Sequence, residues 1–142
     1  LEITLKELHC GSCRTVVSLQ LGDDDQVTEF LKGLIKSNPN AASSLQTSMA
    51  TITSVDAYRN KRKFRDVGEG IYEIKVPGIR LYCFKDQIDT LETKFILATN
   101  GGTKKNKREQ NSDIKRAAQL RDRYFAAKKL PDTQLNYIQI DP

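Results

Sequence analysis

"IYEIKVPGIRLYCFK", residues 71–85, decides the fold class. Its residues alternate in character, and side chains two apart share one face of an extended chain. Ile71, Glu73 and Lys75 lie on one side, and Tyr72, Ile74 and Val76 on the other. Pro77-Gly78 is a turn signal. Alternation then resumes, with Ile79, Leu81, Cys83 and Lys85 opposite Arg80, Tyr82 and Phe84. "DQID" turns the chain again, and "TKFILATN" (93–100) is apolar at its centre. Three strands with short connections predict an antiparallel meander.

Upstream the period is different. "TVVSLQL" (15–21) is β-branched and apolar and predicts a strand. "GDDD" ends it and supplies a helix cap and an acidic first turn. Val27, Phe30, Leu31, Leu34 and Ile35 recur at helical spacing. Asn38 can cap a second helix with Pro39 at its first position. That helix carries Ala42, Leu45, Met49 and Ile52, so the two helices form a hairpin. "YRNKRKFRDVGEG" (58–70) reads as a basic, then glycine-rich loop.

Downstream, Asn111 or Ser112 is the expected cap of a helix carrying Ile114, Ala117, Ala118, Leu120, Tyr124 and Phe125. Leu130-Pro131 stops it, and "LNYIQI" (135–140) predicts a last edge strand. The expected order is strand, helical hairpin, three-stranded meander, helix.

A chain of 142 residues fits one domain. At 38% hydrophobic it can bury a core without disulfide staples. It contains no apolar run of about 18 residues and no apolar leader at its start, which predicts a soluble, cytoplasmic protein with no membrane partner. The net charge of +5 is uneven. Residues 1–55 carry a net −2 and residues 56–142 a net +7, so the C-terminal part suits a polyanion or an acidic partner. A solvated basic face is the plainer reading.

Three cysteines argue against a disulfide framework. Cys10-Gly-Ser-Cys13 follows His9, the one histidine of the chain. Small residues at a strand start, a redox pair and half a zinc site all remain open readings. No second CxxC completes a metal site, and no cofactor is expected.

The basic charge concentrates in "FILATNGGTKKNKREQNSDIKRAA" (95–118), where a strand meets a helix. Gly101 and Gly102 let the backbone turn there or approach a ligand closely.

The order and spacing of these segments resemble the RelE/ParE superfamily of toxins from type II toxin–antitoxin systems, closest to the HigB branch. Tyr72-Glu73-Ile74-Lys75 is similar to one of its strands, and Arg80-Leu81-Tyr82 to the next. Lys104-Lys105 resembles its lysine pair, and Asp113-Ile114-Lys115-Arg116-Ala117 the start of its last helix. The match spans roughly 64–125, and the helical hairpin agrees by layout only. The branch has an aromatic before the lysine pair and a proline after it, where this chain has "NGGT" and "NKRE".

The resemblance implies an α+β, RelE-like fold. That fold is a small, mainly antiparallel sheet with an N-terminal helical hairpin and a C-terminal helix. Residues 1–142 form a single such domain, with 1–12 and 130–142 as peripheral extensions. It implies a toxin acting as a metal-free mRNA endoribonuclease, associated with the ribosome, that inhibits translation. The partners are mRNA and a small helix-turn-helix antitoxin with an acidic segment. A DNA gyrase inhibitor and a non-catalytic RNA-binding module are the alternatives. In such a nuclease the RNA's own 2′-hydroxyl attacks the neighbouring phosphate, and the enzyme moves protons and neutralises charge.

Arg80, Lys104, Lys105 and Lys75 are the catalytic candidates, with Arg80 on an exposed strand gripping the scissile phosphate. Tyr82, Lys107, Arg108 and Arg116 are the RNA-binding candidates, Arg116 from the first turn of the last helix. Each has a plainer reading. Lys75 can form a cross-strand ion pair with no further role, the Lys104/Lys105 pair can be a solvated loop, and Tyr82 can be core.

Overall fold

The computed structural model describes residues 1–103 and 106–140. Its centre is one seven-stranded mixed sheet. The strands are β1 (Glu2–Cys10), β2 (Thr15–Leu21), β3 (Phe64–Gly68), β4 (Ile71–Val76), β5 (Ile79–Ile88), β6 (Thr93–Thr103) and β7 (Gln134–Ile138). They lie in the order β3-β4-β5-β6-β2-β1-β7. Helices α1 (Gln26–Ser37) and α2 (Pro39–Thr53) connect β2 to β3, and α3 (Lys107–Lys128) follows β6.

The meander is present: β4, β5 and β6 pair antiparallel in sequence. The small antiparallel sheet with an N-terminal hairpin is overturned. Two strands precede the helices, and the sheet closes its order with parallel pairs, β2 on β6 and β1 on β7. Residues 1–12 contribute a nine-residue strand between β2 and β7, so they are not peripheral.

Alternation places helices on both faces. Val16, Ile74, Leu81, Cys83, Ile96 and Ala98 face α1 and α2, which bury Val27, Leu34, Leu45, Met49 and Ile52 against them. Val17, Leu19, Tyr82, Phe84, Phe95 and Leu97 face α3, which adds Ala117, Leu120 and Tyr124. β6 is buried on both faces, which explains its continuous apolar run. Near its C-terminal end α3 is tied down where the Tyr124 hydroxyl donates to Asp86 at 2.6 Å and Lys128 pairs with the same carboxylate at 2.7 Å.

Local signals hold where they were local. Asn38 caps α2 by accepting from the Ala41 N–H, with Pro39 at the first position. Asp25 caps α1 in the same way through the Thr28 N–H. Burial alone would raise the Asp25 pKa, but hydrogen bonds from Lys6 and Thr28 outweigh it and hold the carboxyl below its ordinary value.

Three local expectations change. The loop at 58–70 contains a strand, β3, whose alternation is hidden by its charges. The last helix starts at Lys107 with Asn106 as cap, well before Asn111 and Ser112. Ile35 faces solvent because α1 rests on Val27 and Leu34 alone at full burial.

Candidate functional site

The strand register gathers residues that lie far apart in the chain. Val76 pairs with Ile79 across the Pro77-Gly78 turn, so Lys75 lies beside Arg80. Arg80 in turn lies beside Gly102 of β6. The row Lys75–Arg80–Gly102 therefore crosses three strands and ends one residue before β6 stops at Thr103. There α3 begins, after its cap Asn106, with Lys107 and Arg108 in its first turn.

A helix N-terminus already carries partial positive charge, so these cations deepen an anion-attracting corner. Lys107, Arg108, Asn111, Ser112 and Lys115 follow one helical stripe and border an open depression of about 550 Å³. Lys104 and Lys105, the expected lysine pair, lie outside the described residues.

Arg80 is not on an exposed strand. Its side chain is 4% exposed, because α3 covers this face. The guanidinium Nη1 donates to the carbonyls of Val76 at 3.1 Å and Ile79 at 2.9 Å. Its Nε lies 3.7 Å from Glu73, whose buried carboxylate also accepts from Arg65 at 2.7 Å. A buried carboxylate needs such partners, since an uncompensated buried charge costs several kcal/mol, of order 3–5. Arg80 thus fastens the β4–β5 turn and holds Lys75 in place.

The next row is Glu73–Tyr82–Asn100. Tyr82 is core, as its plainer reading had it, at 1% exposed. Burial first, and then the charges of Glu73 and Asp113, push its hydroxyl up to about 12. Asn100 links β6 to α3 by donating from Nδ2 to the Asp113 carbonyl at 3.1 Å.

The two glycines serve packing. A Cβ on Gly101 would run into the Phe30 ring of α1, and one on Gly102 would meet the Asp113 carboxylate of α3. Helices from both faces close on the strand end because these two positions have no side chain. Of the two roles expected for the glycines, a turn or a close approach to a ligand, the turn is absent, for both continue β6.

Of the remaining candidates, Lys75 is half-buried, and Lys107, Arg108 and Arg116 are exposed. Arg116 lies beyond the first turn of α3, next to the buried Ala117 and Ala118 rather than over the sheet. Sequence reasoning missed Glu73 as the counter-charge of Arg80, although the two-residue turn implies the register that brings them close. It also missed Arg65, because β3 was read as a loop.

The CGSC segment is the tip of the β1–β2 hairpin, where Cys10 pairs with Thr15 and the Gly11 N–H donates to the Arg14 carbonyl. Both thiols are exposed, and Cys13 Sγ donates to the Ser54 carbonyl at 3.5 Å. His9 sits beside Gln46, with Nδ1 and Nε2 at 3.2 Å. Among the described residues, no three His, Cys, Asp or Glu side chains group to hold a metal ion. No helix among them is long and apolar enough to cross a membrane. No family model matches the chain, and neither a curated protein nor a solved structure matches it.

Proposed function

We propose that the protein is an endoribonuclease that cuts mRNA on the translating ribosome and acts as the toxin of a toxin–antitoxin pair. The observation that supports this reading is the convergence of Lys75 and Arg80 with the strand end that leads into Lys107 and Arg108. Phosphoryl chemistry on RNA needs concentrated positive charge at one fixed place, and this corner supplies it.

In this reading Lys75 and the cations of the strand–helix joint, including Lys104 and Lys105, contact the scissile phosphate. The 2′-hydroxyl attacks the phosphorus, and the 5′-oxygen leaves with a proton. A neutral lysine of this corner takes the 2′-hydroxyl proton, and a protonated neighbour supplies the proton that leaves with the 5′-oxygen. Arg80 is a positioning residue, because Glu73 and two carbonyls hold its guanidinium. An antitoxin with an acidic segment would inhibit by covering the same corner.

The test uses purified protein on translating ribosomes. Cleavage should leave a 2′,3′-cyclic phosphate and a 5′-hydroxyl. Lys75→Ala should slow it on the order of 100-fold, the usual cost of a lost transition-state charge contact. Lys36→Ala, on the exposed last turn of α1, should leave the rate unchanged. Intact mRNA with wild-type protein would sink the reading. DNA synthesis failing before protein synthesis in expressing cells would favour a gyrase inhibitor instead.

A further inference from the structure

We infer that the depression between residues 58–66 and strands β4 and β5 is a subsite for single-stranded RNA that stacks one base and holds the adjoining phosphates. The inference rests on RNA being the ligand and extends the proposed site along the sheet edge.

Tyr58, Arg59, Lys61, Phe64, Tyr72 and Lys85 border this depression, which has a volume of about 300 Å³. It lies on the α1/α2 face, where Tyr58 and Tyr72 pack against the core cluster as partly buried residues. The Phe64 and Tyr72 rings stack at 5.2 Å with 19° between their planes. Over them lies the Lys85 ammonium, 4.5 Å from the Tyr72 centroid and 5.5 Å from that of Phe64. The ring stack and the ammonium take up these faces, and the half-buried Tyr58 in the same wall offers the ring for a base, with Lys85, Arg59 and Lys61 beside it for the phosphate. A nucleobase with its phosphate matches that combination, and aromatic platforms amid basic grooves are how proteins hold single strands.

The charges around the pocket favour an anion. Burial, and then the nearby Arg14, lower the Lys85 pKa, while Asp56 and Asp66 oppose that shift. Asp56 is engaged by Lys94 at 2.8 Å and by Arg14 at 3.9 Å. Asp66 in the wall accepts from the Gly68 N–H at 2.7 Å. Residues 59–65 supply Arg59, Lys61, Arg62, Lys63 and Arg65, and they run into the outermost strand of the sheet.

The subsite also connects to the candidate site. The Lys75 N–H donates to the Lys63 carbonyl at 2.8 Å. Alternation starts the Lys75 side chain on the α3 face, but Lys63 and Lys75 together border a depression with Ser44 and Thr47 of α2, so a strand of RNA leaving the pocket past Lys63 meets Lys75 at the sheet edge. Spacing along one edge lets the pocket hold a nucleotide flanking the one that reacts.

The probe is a short uridine-rich RNA with 2′-O-methyl riboses, which binds without being cut. Photocrosslinking should attach uridine to Tyr58 or Tyr72. Tyr58→Ala should weaken binding about tenfold, within the range found for losing one base–aromatic stack. Arg59→Ala with Lys61→Ala should lower the slope of log affinity against log salt by about one to two. Arg59 and Lys61 are exposed, whereas Tyr58 is half-buried against the core, so thermal melts accompany every variant and Tyr58→Phe, which keeps the ring, should bind like the wild type. Wild-type affinity in Tyr58→Ala, or crosslinks confined to α3, would overturn the subsite. So would uridine monophosphate or an acidic peptide competing as well as the oligonucleotide, since the ligand would then be a free nucleotide or a protein. Crosslinking at Tyr58 with no cleavage of translated mRNA would keep the subsite and remove the nuclease.

Discussion

The strand–helix joint and the basic edge at 58–66 are both rich in arginine and lysine, but the two regions use them differently. At the joint, Arg80 is buried, bonded to carbonyls and faced by Glu73. Gly101 and Gly102 draw α1 and α3 onto the strand end. At the edge, Arg59, Lys61 and Arg62 are exposed, and the first two border aromatic rings. An arginine under a helix is structural, because desolvation forces it to find partners inside the protein. A cation on an edge strand keeps its hydration until a polyanion displaces it. The joint is rigid and offers charge at a fixed place; the edge offers contact area that can follow a flexible chain.

This contrast can be broken most directly at Glu73. Glu73→Ala removes the carboxylate between Arg65 and Arg80 and leaves a buried guanidinium without its counter-charge. We expect a loss of about 3–5 kcal/mol, read from urea midpoints. A loss below about 1 kcal/mol would mean that the joint is no more rigid than the edge. Double substitution of Arg59 and Lys61, by comparison, should cost no more than about 0.5 kcal/mol per site.

A smaller effect is expected at Gly101. Gly101→Ala forces the new methyl against the Phe30 ring, so the ring or α1 must shift. Overpacking of this kind costs about 1–3 kcal/mol. If Gly101→Ala is neutral while Gly101→Ala with Phe30→Ala is destabilised, the close approach of α1 is not what the glycine is for.

The smallest effect is a pH dependence at the joint. The Tyr82 hydroxyl, raised from 10.0 to about 12, stays protonated in the fold where an unfolded chain would ionise. Its contribution to stability is therefore complete below pH 10.0 and is lost as pH rises towards about 12. Tyr82→Phe should flatten that part of the stability curve. The phenolate absorbance that disappears in the variant should be the part that titrates late in the wild type. Early titration of that absorbance would place Tyr82 in contact with water and loosen the joint.

The sequence by itself determined what depends on neighbours along the chain. Strands at 15–21, 71–76 and 79–85 follow from alternation and the Pro77-Gly78 turn, whereas "DQID", read as a turn, carries β5 on to Ile88. Helix starts at Asp25 and Asn38 follow from side chains that cap within three residues. The match in spacing between such short signals and structure reflects hydrogen bonds and side-chain faces set within a few residues. Tyr124, aromatic at helix spacing, was legible as core, whereas Tyr82, named as an RNA-binding candidate, is core as well.

Only the tertiary structure decided how those pieces meet. β1 and β7 share no local signal that would pair them in parallel, since residues 2 and 134 are far apart in the chain and neighbours only in the folded sheet. β3 is a strand because β4 offers it a partner, although its own residues carry the composition of a loop. Arg80 has the same alternating position whether its face is open to water or lies under α3. That choice was made by a helix 27 residues further on, whose buried alanines and Leu120 seek the sheet. Burial is a property of what lands on a surface, and a single strand does not encode what will land on it.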